Sequence, residues 1–402
     1  MQKIAIITQY FYPSSAATAQ IMTDLANGLA ERGYSVQIFT GIPESTETPP
    51  KSLQNLEISR SFTVKEKGHG IITKVTSSLF FLLGALAYIL FRVPKQIPIL
   101  IASNPPYAGI LGLFFRLFKG GRFYFLLQDV FPESAVIAGV IKKKSILFKI
   151  LSYLNHTVYK FSDSTIVLSS SMQKFVEQKT GLRDKFCVIE NWSIENINLS
   201  KKQDNPFATL HGLDKVFTVL YSGNMGRLHD IESIAEAANL LKNSPIQFVF
   251  IGDGPKKKII EQTLEKYQLK NILLLPFQPR ENISLSLTAC DISLVSLIPG
   301  AESIVAPSKL YGMLAAGRGI IAISSPNSYI DQLLTTYDCG VNSPPHNPQH
   351  LANVIIELSH QPLKIKAMGE KARLLYESKY TFEHALDEYE TLLFKDAVSW
   401  RK

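Results

Sequence analysis

Ala306-Pro-Ser-Lys-Leu-Tyr-Gly-Met-Leu-Ala-Ala-Gly-Arg-Gly-Ile-Ile321 reads as a loop, a short helix and a buried strand in quick succession. Ser308 stands where the helix starts, and a serine hydroxyl there accepts a hydrogen bond from a free backbone N–H of the first turn. Leu310, Met313, Leu314 and Ala315 give the helix an apolar side. Gly317 ends it as a left-handed cap residue does, and residues 320–323 follow as a strand. A Pro- and Ser-containing loop that presents a helix N-terminus, with Lys309 just inside, suits an anion such as phosphate. An ordinary connection with a solvated lysine fits the same residues, and the residues alone leave both readings open.

Outward from this stretch, strand and helix alternate through both halves of the chain. Beyond residue 215 the pattern predicts strands at 217–221, 247–251, 272–275 and 291–296, with helices at about 230–241 and 256–267. In the first half it predicts strands at 3–8, 36–40, 97–102, 123–127 and 164–168, and a helix start at Ser169-Ser-Ser171. A helix at about 18–32 has Ile21, Leu25, Ala26 and Leu29 on one face and stops at Gly33. Two such runs predict an α/β protein with two doubly wound, Rossmann-like parallel-sheet domains. The length agrees, because 402 residues exceed one ordinary core. We place the domains at 1–205 and 206–378. Residues 200–214, polar and aperiodic, read as a linker or an exposed approach to the second domain. In the final segment, 379–402, Phe382, Ala385, Leu386, Tyr389, Leu392 and Leu393 recur at helical spacing.

With 46% hydrophobic and 19% charged residues, the chain has the apolar content to bury both cores. A formal net charge of +8 suggests anionic partners: phosphates, acidic lipid headgroups or nucleic acid. No zinc-ligand spacing, ribonucleoprotein motif or long basic stripe is present, so nucleic acid is not expected as a partner. Cys187, Cys290 and Cys339 are too scattered for a disulfide framework or a metal site and suit a reducing cytosol. The apolar run at 3–8 is too short for a signal peptide, and Gln9-Tyr-Phe-Tyr-Pro13 interrupts it.

Three loops carry candidate chemistry. Ser222-Gly-Asn-Met-Gly-Arg-Leu-His229 joins a strand to a helix; Gly223 and Gly226 allow close backbone approach, and Arg227 can grip a diphosphate in bidentate fashion. Ile251-Gly-Asp-Gly-Pro255 is a tight turn after a strand. Gln128-Asp-Val-Phe-Pro-Glu-Ser134 follows a strand whose carboxyl end would line a ligand crevice. Each also fits a plain loop, Asp129 as a turn-former that accepts backbone N–H bonds. The loop at 12–18 lacks G-x-G-x-x-G, which argues against NAD in the usual place.

Leu79-Phe-Phe-Leu-Leu-Gly-Ala-Leu-Ala-Tyr-Ile-Leu-Phe91 is uncharged and strongly apolar. A spanning helix needs about 20 such residues, so this shorter run fits either a core helix or partial insertion into a membrane face. Leu111-Gly-Leu-Phe-Phe-Arg-Leu-Phe-Lys119 and Lys142-Lys-Lys-Ser-Ile-Leu-Phe-Lys-Ile-Leu-Ser-Tyr153 set cations beside apolar residues, a composition of monotopic attachment to anionic lipid. We expect peripheral contact with an anionic membrane surface and no transmembrane span.

P-S-K-L-Y-G-x-L-A-A-G-R, at residues 307–318, resembles the nucleotide-sugar motif of family 4 retaining glycosyltransferases. The resemblance is to the polysaccharide-assembly branch that includes the fucosamine-type transferases. It implies the GT-B fold, two Rossmann-like domains facing a central cleft, with a C-terminal helix crossing back to the first domain. It implies that Ser308, Lys309, Leu310, Tyr311 and Gly312 bind the donor, with Gly223, Asn224, Gly226 and Arg227 at its phosphates. Gly252, Asp253, Gly254 and Pro255 would flank the base, and Ser15 would lie in a loop over the cleft. Gln128 to Ser134 resembles D-x-W-P-E-S, with Phe131 for Trp and Gln128 where a His often stands. Asp129 would orient the acceptor hydroxyl or the donor sugar, so the catalytic candidates are Asp129, Arg227 and Lys309.

Two departures stand out: Gly312 replaces the ribose-binding Glu, and Ile304 the Glu eight residues before it. Glu302 is the nearest acid, at a different spacing. The resemblance implies a metal-independent hexosyl- or N-acetylhexosaminyltransferase without a cofactor, the nucleotide sugar being its substrate and uracil its base by family habit. The acceptor would be lipid-linked or a polysaccharide, and the enzyme cytoplasmic, peripheral to the inner face of the plasma membrane. A GT-B nucleotide-sugar epimerase and a non-catalytic sugar-nucleotide or lipid-binding scaffold are the alternatives.

Overall fold

Ile4-Ala-Ile-Ile7 is buried along its whole length, as a strand must be when helices cover both faces of its sheet. The computed structural model describes residues 1–14, 16–42, 53, 56–61, 71–193 and 196–395; Ser15 lies outside the described residues. The chain forms two compact units. Unit 1 comprises Met1–Glu190, Ile304–Ala306 and Glu383–Lys402, and unit 2 comprises Asn191–Ser303 and Pro307–Phe382.

Unit 1 begins β1 (Lys3–Ile7), α1 (Ala17–Glu31), β2 (Ser35–Thr40), β3 (Glu57–Arg60) and α2 (Ile71–Arg92). It continues β4 (Ile99–Ala102), α3 (Ile110–Lys119), β5 (Phe123–Leu127), α4 (Glu133–Ile137) and α5 (Ile146–Phe161). It ends β6 (Ser164–Val167), α6 (Ser170–Thr180) and β7 (Phe186–Val188). The sheet is parallel, in the order β3-β2-β1-β4-β5-β6-β7. The order reverses between β1 and β4, and the crevice beyond the carboxyl ends of strands at such a point is where α/β sheets bind ligands. Ser169 caps α6 by accepting from the Met172 N–H, as its position ahead of the helix predicts.

Unit 2 runs α7 (Pro206–Leu210), β8 (Phe217–Ser222), α8 (Ile231–Leu240), β9 (Ile246–Ile251), α9 (Lys257–Tyr267) and β10 (Ile272–Leu275). Then come α10 (Arg280–Thr288), β11 (Ile292–Ser296), α11 (Lys309–Ala315), β12 (Gly319–Ile323) and α12 (Tyr329–Thr336). β13 (Gly340–Ser343), α13 (Pro348–Ser359) and α14 (Pro362–Lys379) complete it. Its parallel sheet, β10-β9-β8-β11-β12-β13, repeats the reversal of the first, here between β8 and β11. The expected architecture of two doubly wound parallel sheets is the one observed.

After α14, α15 (Phe382–Glu390) opens in unit 2 and ends in unit 1. Within unit 1 its carboxylates meet the residue that caps α1: Arg32 pairs with Glu383 at 2.9 Å, Asp387 at 2.6 Å and Glu390 at 2.7 Å. Tyr34 stacks on Phe394 with ring centres 4.0 Å apart.

Two expectations need correction. Residues 200–214 are no exposed linker. Asn205 is wholly buried, caps α7 through the Phe207 and Ala208 N–H groups, and donates to the Leu285 carbonyl at 2.8 Å. Lys202 is also buried, donating to the Val216 carbonyl at 2.6 Å and pairing with Asp291. Lys202 and Asn205 anchor the segment by internal hydrogen bonds, while Lys201, Gln203, Asp204 and Thr209 stay exposed. The run at 79–91 is also longer as a helix than as an apolar string. The small polar residues Thr76, Ser77 and Ser78 continue the helix toward its N-terminus, so α2 has 22 residues. Its window Val75–Arg92, with mean hydropathy 1.7, is long and apolar enough to cross a membrane by length and composition.

Candidate functional site

Two loops at the carboxyl ends of β8 and β9 are laced together by backbone bonds. Gly223 donates to the Ile251 carbonyl at 2.8 Å, Met225 to that of Asp253 at 2.8 Å, and Lys256 to that of Met225 at 3.0 Å. The lacing needs glycine. Gly252 has φ +132°, and a Cβ there would lie 2.2 Å from the Gly223 oxygen; Gly254, φ +145°, would place one 2.6 Å from the Met225 oxygen. The two glycine motifs are thus parts of one platform. Asp253 and Pro255 stay exposed, and Asp253 accepts from the Gly254 N–H at 2.8 Å.

Lys309 reaches this platform from the start of α11. Its ammonium donates to the Tyr221 hydroxyl at 2.5 Å, lies 3.4 Å from the Asn224 carbonyl oxygen and stands 3.8 Å from the centre of the Tyr221 ring. Tyr221 passes the hydrogen bond on to the Asn224 carbonyl at 3.0 Å. A Cβ on Gly223 would come 3.6 Å from the lysine nitrogen, so the glycine keeps that side of the amine open. Partly buried and set among dense protein, Lys309 has its pKa lowered to about 7 by desolvation. On the same loop Arg227 is exposed, and Asn224 and Gly226 stand on either side of Met225.

His229 had no assigned role in the sequence, although it ends the quoted loop. Its Nδ1–H donates to the Ser296 carbonyl at 2.6 Å, tying the loop to the end of β11. Burial, then the nearby Lys309, bring its pKa down to about 3, so the imidazole is neutral. Lys256 braces the same loop, donating to the His229 carbonyl at 2.7 Å and pairing with Glu232 at 2.9 Å. Tyr221 was visible only as a buried strand residue; nothing in sequence links it to a lysine 88 positions away.

The motif helix differs from its reading. Ser308 has helical dihedrals, φ −52° and ψ −28°, and its side chain makes no cap bond. The helical turn already begins at Pro307, whose carbonyl accepts from the Leu310 N–H at 2.9 Å. Leu310 and Tyr311 are core side chains, Tyr311 meeting Tyr380 edge-on at 5.4 Å, and they offer no side-chain group to a ligand. A Cβ on Gly312 would lie 3.3 Å from a Leu287 methyl. Gly317, φ +60°, ends the helix as expected. Glu302 is buried with both oxygens engaged, accepting from the Gly300 and Ser325 N–H groups at 2.8 Å each. It holds the chain ahead of the motif.

In unit 1, Gln128 and Asp129 follow β5. The Gln128 Oε1 accepts from Thr18 at 2.7 Å and from Asn104 at 2.7 Å, so the first turn of α1 and the loops after β4 and β5 share one cluster at the switch point. Asp129 pairs with Val305 as an antiparallel bridge, and Val130 donates to the Ile304 carbonyl at 2.8 Å. The Asp129 side chain is exposed by surface area, yet desolvation raises its pKa to about 6. The accessible area decides its reach to a ligand; the atoms crowded around it explain the direction of the shift.

Residues 203–375 match the family model described as Glycosyl transferases group 1, a span that holds the laced loops and the motif helix. The chain is 29% identical over 292 residues, 72% of each chain, to a probable glycosyltransferase, WbjE, of Pseudomonas aeruginosa. It is 28% identical over 182 residues, 44% of each, to WcaI of Escherichia coli K12, a putative colanic acid biosynthesis glycosyl transferase. Among solved structures, sucrose-phosphate synthase of Thermosynechococcus elongatus superposes with TM-score 0.77, at 16% identity and 98% of both chains. HepE of Anabaena, in complex with UDP and glucose, superposes with TM-score 0.72, at 15% identity, over 98% of this chain and 99% of that one. These likenesses show the GT-B fold. Within the matched span, Lys309, Tyr221 and the two glycine loops form one cluster.

Proposed function

We propose that this protein is a group 1 glycosyltransferase, retaining and metal-independent, of the hexosyl or N-acetylhexosaminyl type. It moves a sugar from a UDP-sugar to a lipid-linked or polysaccharide acceptor in surface-polysaccharide biosynthesis, working peripherally at the cytoplasmic face of the membrane. The observation that carries the reading is the Lys309 ammonium held beside the open side of Gly223, with the exposed Arg227 on the same loop. The UDP bound by HepE and the colanic acid named for WcaI support the donor and the pathway class.

In this reading Lys309 and Arg227 stabilise the charge that grows on the leaving diphosphate as the glycosidic bond breaks, an electrostatic contribution of the oxyanion-hole kind. Tyr221 and the Asn224 carbonyl hold the ammonium in place, so little reorganisation accompanies the reaction. Neutral His229 fixes the loop without adding a competing charge. Asp129, ionised above about pH 6, accepts a hydrogen bond from a substrate hydroxyl. The leaving phosphate then takes the acceptor proton on the same face.

Calorimetric titration of UDP, GDP and NAD into the purified protein tests this. UDP should bind, with Lys309→Ala and Arg227→Ala each weakening it by at least ~1.5 kcal/mol, the lower range for a charge-assisted hydrogen bond. Unchanged UDP affinity in both variants would remove the donor assignment. Incubation with UDP-sugars and membrane lipid then separates transfer from isomerisation and from binding alone.

A further inference from the structure

We propose that the outward side of α2, α3 and α5 is a docking surface for an anionic phospholipid bilayer, on which the protein rests without spanning it. The proposal takes its setting from the membrane-face reading above; its support comes from the helices themselves. α3 packs between α2 and α5, so the three form one layer on unit 1. Leu79 and Leu83 on α2, Leu117 and Phe118 on α3, and Ile146 and Ile150 on α5 are each more than half exposed, Leu117 and Ile146 about three-quarters. Exposed apolar side chains gathered on three packed helices mark an interaction site rather than ordinary solvent-facing protein.

The charge pattern selects the partner. None of the three helices carries an Asp or Glu. The exposed cations Lys142, Lys143 and Lys144 precede α5, and Lys149 lies on it. An apolar face edged by cations and free of acids complements acidic headgroups over acyl chains. A second copy is the poorer occupant, because an isologous contact would bring the same lysines together with no carboxylate between them.

Depth is set by the other side of α2. Phe81, Ala85 and Ile89 are buried within unit 1, a stripe at helical spacing opposite Leu79 and Leu83. Crossing the bilayer would pull that stripe out of the core and open to water the side chains it packs against, Phe39 among them. The helix therefore stays in the fold and offers only its outer side.

Flotation of the full-length protein with vesicles, without donor, tests this. Vesicles of phosphatidylcholine with about a third phosphatidylglycerol should bind at least ten times more protein than phosphatidylcholine alone, and 0.5 M salt should release most of it. Changing Lys142, Lys143 and Lys144 to Gln should lower binding about fivefold for each lysine. Ile146→Ser with Ile150→Ser should reduce it more than tenfold, and carbonate at high pH should extract the wild type. UDP affinity should be unchanged in these variants, which separates this surface from the donor reading. No preference for phosphatidylglycerol, resistance to carbonate, or a lipid-independent dimer abolished by Ile146→Ser and Ile150→Ser would each overturn the proposal.

Discussion

The Lys309 ammonium lies 2.5 Å from the Tyr221 hydroxyl, joining the start of the motif helix to the end of the first strand of the same domain. Burial has already lowered the lysine to about 7, so at pH 8 most of it is neutral in the free protein. A bound diphosphate favours the ammonium. Binding UDP at pH 8 should therefore take up close to one proton, and at pH 6 little, because the lysine is charged before the ligand arrives. Calorimetry in buffers of different ionisation enthalpy measures this. In Lys309→Arg the uptake at pH 8 should vanish, since guanidinium stays charged; undiminished uptake would point to another group.

The close approach of Gly252 to Gly223 makes a second prediction. Gly252→Ala combines a strained φ with a clash against backbone, and we expect a loss of about 2–3 kcal/mol in urea denaturation. UDP binding should weaken with it, because the two loops separate. Gly33→Ala is the control: its φ of +88° is strained, but nothing lies within 4 Å of the added carbon, and about 1 kcal/mol is expected.

Lys202 tests the structural role of residues 200–214. Lys202→Met removes the partner of Asp291 and takes one of two donors from the Val216 carbonyl, which keeps the Thr218 hydroxyl at 3.0 Å. Asp291 keeps the Thr218 N–H at 2.8 Å and remains partly exposed, so the loss should be about 2–3 kcal/mol, below that of a fully buried pair. A double-mutant cycle with Asp291→Asn isolates the pair. A change under about 0.5 kcal/mol, usual for exposed positions, would return the segment to linker status.

The tail should respond to acid. Lys395, then Tyr34 and Arg32, hold the Glu390 carboxyl down at about 2. The folded value lies below the unfolded one, so its contribution is complete above about pH 4.5 and is lost as the pH falls toward 2. Solvent reaches the cluster, so we expect about 1 kcal/mol from it at pH 7. Urea denaturation of Glu390→Gln beside the wild type should show that difference closing between pH 4.5 and 2.

Strands with unbroken apolar runs are the most legible part of the chain. Residues 123–127 and 272–275 were placed to the residue, because each is a run of apolar and aromatic side chains bounded by turn-forming or polar neighbours. The edge strands β3, Glu57-Ile-Ser-Arg60, and β13, Gly340-Val-Asn-Ser343, escaped notice. Each has a single strongly apolar residue and so shows no apolar run, unlike β10, an edge strand whose four residues are all apolar. In the candidate site the glycine loops were legible from type and spacing. The burial of Leu310 and Tyr311, the engagement of Glu302 and the role of Tyr221 were not.

By itself the sequence determined two doubly wound parallel sheets, the stop at Gly317, and the loops where backbone must come close. Those properties follow from the period of apolar residues and from the dihedral freedom of glycine, both local. Only the tertiary structure decided that Lys309 pairs with Tyr221, that Ser308 leaves its helix uncapped, and that Lys202 is buried. Each depends on which side chains, distant in sequence, pack around the same point, and that is settled by the packing of the whole unit.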